Sequence, residues 1–163
     1  KFFGRKLAQG RVMPKILIVY YSHTGNTEKM AKAIAKGART VQGVEVELKR
    51  HGSAWVLDSY DAILIGAPTY HRTMTNSIKK FLEEVAFHNV GLKGKVGAAF
   101  GSYGWSGEAP RRVLEVMEKR FEMKVVKPPL LIEYTPDEKG LEECHKLGAN
   151  VAEQISRTTD ARA

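Results

Sequence analysis

Ser22, His23, Thr24, Gly25, Asn26, Thr27 and Glu28 follow directly on the apolar run 16–21 and open an amphipathic stretch. Three hydroxyls, a glycine able to take positive φ and the free amides of a helix start can together surround a phosphate without any charged side chain. The same residue types also make an ordinary helix cap and turn, so this segment alone leaves both readings open. Two later segments add to it. Residues 67–73 run Ala67, Pro68, Thr69, Tyr70, His71, Arg72, Thr73, and residues 101–107 run Gly101, Ser102, Tyr103, Gly104, Trp105, Ser106, Gly107. Aromatic side chains among glycines and hydroxyls have less reason to be core than aromatics at helical spacing. A flat heteroaromatic ligand carrying a phosphate would use all three segments.

Such loops need a scaffold that brings them to one place. Residues 16–21, 62–65 before Gly66, and 96–100 before Gly101 are short apolar runs, which suits strands covered on both faces. Residues 44–49 alternate Val44, Val46 and Leu48 with Glu45, Glu47 and Lys49, the pattern of a strand at or near an edge. Residues 123–126, interrupted by Lys127, Pro128 and Pro129 and resumed over 130–132, read as a last strand at the opposite edge, where proline is tolerated. Between these runs apolar residues recur three and four apart: Met30, Ile34, Gly37 and Val41; Ile78, Phe81, Leu82 and Val85; Val113, Leu114, Met117 and Phe121; Leu141, Cys144, Gly148, Val151 and Ile155. Residues 53–60 read as a short turn or helix. Strand alternating with helix predicts an α/β, three-layer, five-stranded parallel sheet with helices on both faces. In that architecture ligands lie beyond the carboxyl ends of the strands, where the three loops would line one crevice.

Composition narrows the class. At 163 residues, 43% hydrophobic and 27% charged, the chain suits one domain with a sizeable core. No apolar run approaches the roughly 20 residues of a membrane span, and the first twelve residues lack the apolar middle of a secretory signal, so a cytoplasmic protein without membrane partners is expected. Met13 followed by Pro14 resembles a natural start, which makes residues 1–12 a non-native leader or a basic linker and 13–163 the domain. The net charge of +8 includes four cations of that leader, so residues 13–163 carry only +4. Lys and Arg are spread along the expected helices without a dense stripe among aromatics, which argues against nucleic acid. Cys144 sits on a helical apolar stripe as a structural thiol, and His23, His51, His71, His88 and His145 show no ligand spacing, so no bound metal is expected.

The combination of 22–27 with Gly66-Ala67-Pro68-Thr69 and Gly101-Ser102-Tyr103-Gly104-Trp105 resembles the flavodoxin family over residues 14–156. The last motif, after Gly97-Ala98-Ala99-Phe100, is most similar to the flavodoxin domain of flavodiiron proteins, the A-type flavoproteins, here as a stand-alone domain. The resemblance implies strand order 2-1-3-4-5 and bound FMN. It implies that Ser22, His23, Thr24, Gly25, Asn26 and Thr27 hold the phosphate. Ala67, Pro68, Thr69 and Tyr70 would form the second flavin loop, and Ser102, Tyr103, Gly104, Trp105 and Ser106 the third. Flavodiiron proteins add a metallo-β-lactamase-like domain with a diiron site, and no such ligand set stands in this sequence, so oxygen or nitric oxide reduction is not expected of it.

The function expected is electron shuttling, one or two electrons at a time, through FMN, with no catalytic side chain required of the protein. Aromatic contacts from Tyr70, Tyr103 or Trp105 would disfavour negative charge on the reduced flavin, and His71 or Arg72 would favour it. The mildly positive globule points to a redox partner with an acidic docking surface. The alternative is an FMN-dependent NAD(P)H:quinone reductase of the same fold. A phosphorylated receiver domain would need acids where Tyr20-Tyr21 and Gly66-Ala67-Pro68 stand, and a Rossmann NAD domain a different glycine spacing.

Overall fold

Alternation along the strands sorts the apolar residues into two cores, one on each face of a sheet. The computed structural model of the protein describes residues 13–162; the expected leader or linker of residues 1–12 lies outside them. β1 (Lys15–Tyr20) sends Leu17 and Val19 to one face and Ile16, Ile18 and Tyr20 to the other. β3 (Ala62–Gly66) and β4 (Val96–Tyr103) divide in the same way. The period of two in side-chain direction requires this once both faces are covered. α1 (Asn26–Ala38) and α4 (Glu138–Arg162) cover the face of Ile16, Ile18 and Phe100. α2 (Asn76–Phe87) and α3 (Glu108–Glu115) cover the other, where Ile78, Phe81, Val113 and Leu114 meet Leu17, Ile63 and Ile65.

The sheet is parallel throughout, in the order β2 (Glu45–Arg50), β1, β3, β4 and then β5 (Lys124–Val125). β6 (Leu130–Glu133) also pairs with β4, from Phe100↔Leu130 to Tyr103↔Glu133. The fifth strand of the expected sheet is therefore two short strands in one edge position, separated where Pro128 and Pro129 cannot donate to the ladder. The split serves the far end of β4, because β6 supports the stretch that carries Ser102 and Tyr103. Ala54–Ser59 forms a 3₁₀ turn between β2 and β3, and Val116–Arg120 forms a π-helical turn after α3.

α1 and α4 cross backbone to backbone. A Cβ on Gly148 would run into the carbonyl of Ile34, and one on Gly37 into that of His145. Cys144 is fully buried on the same face, as its stripe predicts. Burial pushes its thiol up to about 12, and burial likewise pushes the Tyr21 hydroxyl up to about 12. Both groups thus stay protonated in the fold at pH values where they ionise in the unfolded chain. Stability is complete below the ordinary thiol value of 9.0 and falls as pH rises from there towards 12. Alkaline unfolding followed by circular dichroism should show this decline. Iodoacetamide at pH 8 should label Cys144 only after denaturation, as mass spectrometry would record.

Candidate functional site

The three loops expected to converge do so at the carboxyl ends of β1, β3 and β4. Strand register sets their heights: Tyr20 pairs with Gly66, and Gly66 with Phe100, so each chain leaves the sheet at the same level. The loops are then tied to each other. The amide of Thr69 donates to the Ser102 carbonyl at 3.3 Å, and the amide of Ala67 to the Phe100 carbonyl at 2.8 Å. The Thr69 hydroxyl accepts from the Ala109 amide at 3.0 Å, which fixes the second loop to the first turn of α3.

The first loop turns through Gly25 at φ 93°, a left-handed conformation with open space where a Cβ would stand. Ser22 caps the helix from outside it: its Oγ accepts from the amides of Gly25 at 3.1 Å and Glu28 at 3.3 Å. The amides of Thr24, Asn26 and Thr27 donate to no acceptor among the described residues. Three uncommitted N–H groups at the start of a 13-residue helix make a cradle for an anion. The hydroxyl of Thr24 is exposed beside them. A phosphate fits this donor set, which offers amides and a hydroxyl and no carboxylate of its own beyond Glu28. That carboxyl is held below its usual range by a hydrogen bond from Lys32 and by the charges of Lys32 and Arg50.

Thr27 divides its roles. Its amide belongs to the cradle, but its side chain is buried at 1% exposure. There its Oγ1 accepts from the Ser102 amide at 3.3 Å and lies 3.1 Å from the Ser102 hydroxyl. Ser102 is buried too, so the pair is a strut between the first and third loops. Removing one partner strands buried polar groups. Thr27→Val should therefore cost about 1 to 3 kcal/mol in urea unfolding, and Thr27→Ser should recover most of it.

Tyr70 is half-buried with its ring 5.5 Å from that of His23, edge to face, so it bridges the second loop to the first. Burial raises its hydroxyl, opposed by a hydrogen bond from the His23 backbone. The next residues make a two-residue hairpin, in which the amides of Tyr70 and Thr73 donate to each other's carbonyls at 3.0 and 2.9 Å. Its central residues, His71 and Arg72, have φ of 49° and 61°. Positive φ at both central positions is type I′ geometry, which favours Asn-Gly and costs other residues about 1 kcal/mol each. The third loop presents Trp105 at 79% exposure, with the Arg72 guanidinium 4.9 Å from the ring centroid. Thr69, His71, Arg72, Trp105 and Ser106 line an open groove of about 320 Å³. Tyr103 is half-buried, Gly104 is exposed against the Tyr134 ring, and Ala67 and Pro68 lie buried beneath the loop.

Two contributors escaped the motif reading. Arg50, at the end of β2, donates to the Ser22 carbonyl at 3.1 Å and pairs with Glu28 at 3.5 Å, so it braces the cradle from the next strand. Its register partner is Tyr20, and the loop beyond Tyr20 was the place to look for its contact. Tyr134, which follows β6 at φ 57°, donates its amide to the Tyr103 carbonyl at 2.7 Å and walls the third loop; only the pairing of β6 with β4 brings it there.

Comparison with known proteins gives a consistent picture. The family model described as Flavodoxin matches residues 18–148. The type A flavoprotein fprA of Rhodobacter capsulatus is 33% identical over 147 residues, which is 86% of this chain and 33% of that protein. A solved flavodoxin from the domain Archaea shares 38% identity with a TM-score of 0.81, covering 87% of this chain and 99% of that one. The flavodiiron protein of Giardia intestinalis superposes with a TM-score of 0.82 at 25% identity, covering 91% of this chain and 38% of that one. The chain spans between a third and about half the length of the first curated relatives it matches.

Proposed function

The chain belongs to the flavodoxin family, and from that premise we propose that it binds FMN across the three loops and shuttles one or two electrons between redox partners. The observation that carries this reading is the cradle at the start of α1: three free amides and a left-handed glycine, within one crevice that also holds an exposed indole. The amides of Thr24, Asn26 and Thr27 with the Thr24 hydroxyl would hold the phosphate. Ser22 and Gly25 shape the turn, and His23 braces it against Tyr70. Thr69 and Tyr70 on one side, and Ser102, Tyr103, Gly104, Trp105 and Ser106 on the other, would flank the ring, supported from below by Ala67 and Pro68. FMN, when bound, supplies one- and two-electron redox chemistry.

The protein's own part is binding, orientation and charge. The Thr27–Ser102 strut and the Thr69–Ala109 hydrogen bond keep the ring-side loops at a fixed spacing. Arg72 is the cation nearest the groove, and it eases reduction by favouring negative charge beside it. The mild excess of positive charge favours a redox partner with an acidic docking surface.

Titration of the flavin-free protein with FMN should give saturable uptake with the visible spectrum of bound flavin. Riboflavin, which lacks the phosphate, should bind far more weakly. Equal affinity for the two would remove the cradle from the account. Rapid turnover of the loaded protein with NAD(P)H and a quinone would replace the carrier by a reductase.

A further inference from the structure

We propose that the groove between α2 and the π-helical turn Val116–Arg120 is a self-association site, filled by Phe87 of a second copy of this chain. The inference does not depend on the flavin reading, because the two places are far apart. α2 leaves the second loop at Asn76 and ends at Phe87, and its 12 residues carry the chain about 18 Å towards the opposite end of the sheet.

Three large apolar side chains stand exposed among the described residues. Trp105 and Tyr134 belong to the third loop and its wall, which leaves Phe87, at 83% exposure, as the one with no place in that site. A lone exposed phenylalanine is ordinary on a protein surface. This one flanks an open groove of about 400 Å³ whose apolar lining is Leu82, Ala86 and Val116. The π-helical turn forms one bank of the groove, and such turns are rare and frequent at functional sites.

Charge at the rim selects the occupant. Glu83 lies on the α2 bank and Arg120 on the bank of the π turn, so a purely acidic or purely basic partner would match one bank and oppose the other. A fitting occupant brings an aromatic side chain with an acid close beside it, and this chain carries that pair. Glu83 precedes Phe87 by four residues and lies one helical turn away on the same face. Under a two-fold axis each Phe87 enters the other copy's groove, and the Glu83 beside it reaches the other copy's Arg120, so every contact is made twice. Knob and groove stand on one surface, as an isologous interface requires. A contact of this size belongs to the weak, reversible class.

Sedimentation equilibrium of the whole chain from about 1 μM to about 1 mM tests this. The average mass should rise from one chain to two across that range, with a Kd between about 10 and about 300 μM. Addition of FMN should change that Kd by less than about twofold, because the groove lies away from the cradle. Phe87→Ser should raise it at least about tenfold and leave the thermal melt unchanged, since the ring is exposed. E83R and R120E should each weaken association, the first by setting arginine against arginine and the second glutamate against glutamate. Mixed in equal amounts, the two variants should recover a Kd within about threefold of the parent, because each supplies the charge that the other's groove then needs. A fold defect in either variant would not be repaired by mixing. One chain mass at every concentration, a Kd unmoved by Phe87→Ser, or a mixture no more associated than its separate components would each overturn the assignment.

Discussion

Thr24→Asp should abolish useful FMN affinity while leaving the fold and riboflavin binding as they were. The side chain of Thr24 is exposed and makes no hydrogen bond among the described residues, so its replacement removes nothing the fold depends on. What it adds is a negative charge at the mouth of a set of amides whose capacity is for one anion. A unit charge about 5 Å from another is worth roughly 3 kcal/mol at an effective dielectric of about 20, and a phosphate monoester carries more than one charge. After screening at an exposed position, a loss of about 2 to 4 kcal/mol is expected, or roughly 30- to 1000-fold in Kd. Thr24→Val keeps the amide and introduces no charge, so it should cost only a few-fold. Fluorescence titrations of FMN and riboflavin against the three proteins, with a thermal melt of each, would check the pattern. FMN affinity within about threefold of the parent for Thr24→Asp would place the phosphate elsewhere.

Gly148→Ala should be among the most damaging glycine-to-alanine changes of the described residues, alongside Gly37→Ala at the same helix crossing. The new Cβ would meet the Ile34 carbonyl and the Ala38 amide, and both belong to the backbone of α1, which has no rotamer with which to yield. The helices must part instead, and the contacts of Ile34, Val151 and Ile155 loosen with them. Overpacking of this kind costs about 1 to 3 kcal/mol and more where backbone must move, so a fall in Tm of roughly 5 to 12 °C is expected. Gly91→Ala is the control, since its Cβ would meet nothing and it should leave the melt within about 1 to 2 °C. The damage should reach the site. α1 carries the amides of Asn26 and Thr27, so a displaced α1 carries the cradle away from Ser102, and FMN affinity should fall along with stability.

The reach of local pattern has a physical boundary here. Apolar runs at 16–21, 62–65 and 96–100 announced strands covered on both sides, because short apolar runs ending in small or turn-forming residues suit a parallel sheet with helices on both faces. The hydroxyl-rich turn after the first run announced a helix start with open donors, since cap chemistry is written in consecutive residues. Those features required only short-range periodicity and cap chemistry, whereas the strand order 2-1-3-4-5 was implied by the family resemblance and is borne out by the sheet.

Only the tertiary structure decided how the named residues divide their labour. Thr27 and Thr24 are alike in composition and three positions apart, yet one side chain is a buried strut to Ser102 and the other stands in solvent. Trp105 lies in solvent under Arg72, Tyr70 leans on His23, and Arg50 reaches the cradle from the neighbouring strand. Each of these contacts joins residues distant in the chain, except that of Thr24, whose exposure reflects their absence. A side chain's type fixes which bonds it can make. Which partner it meets depends on register and helix placement, and these are set by the packing of the whole domain.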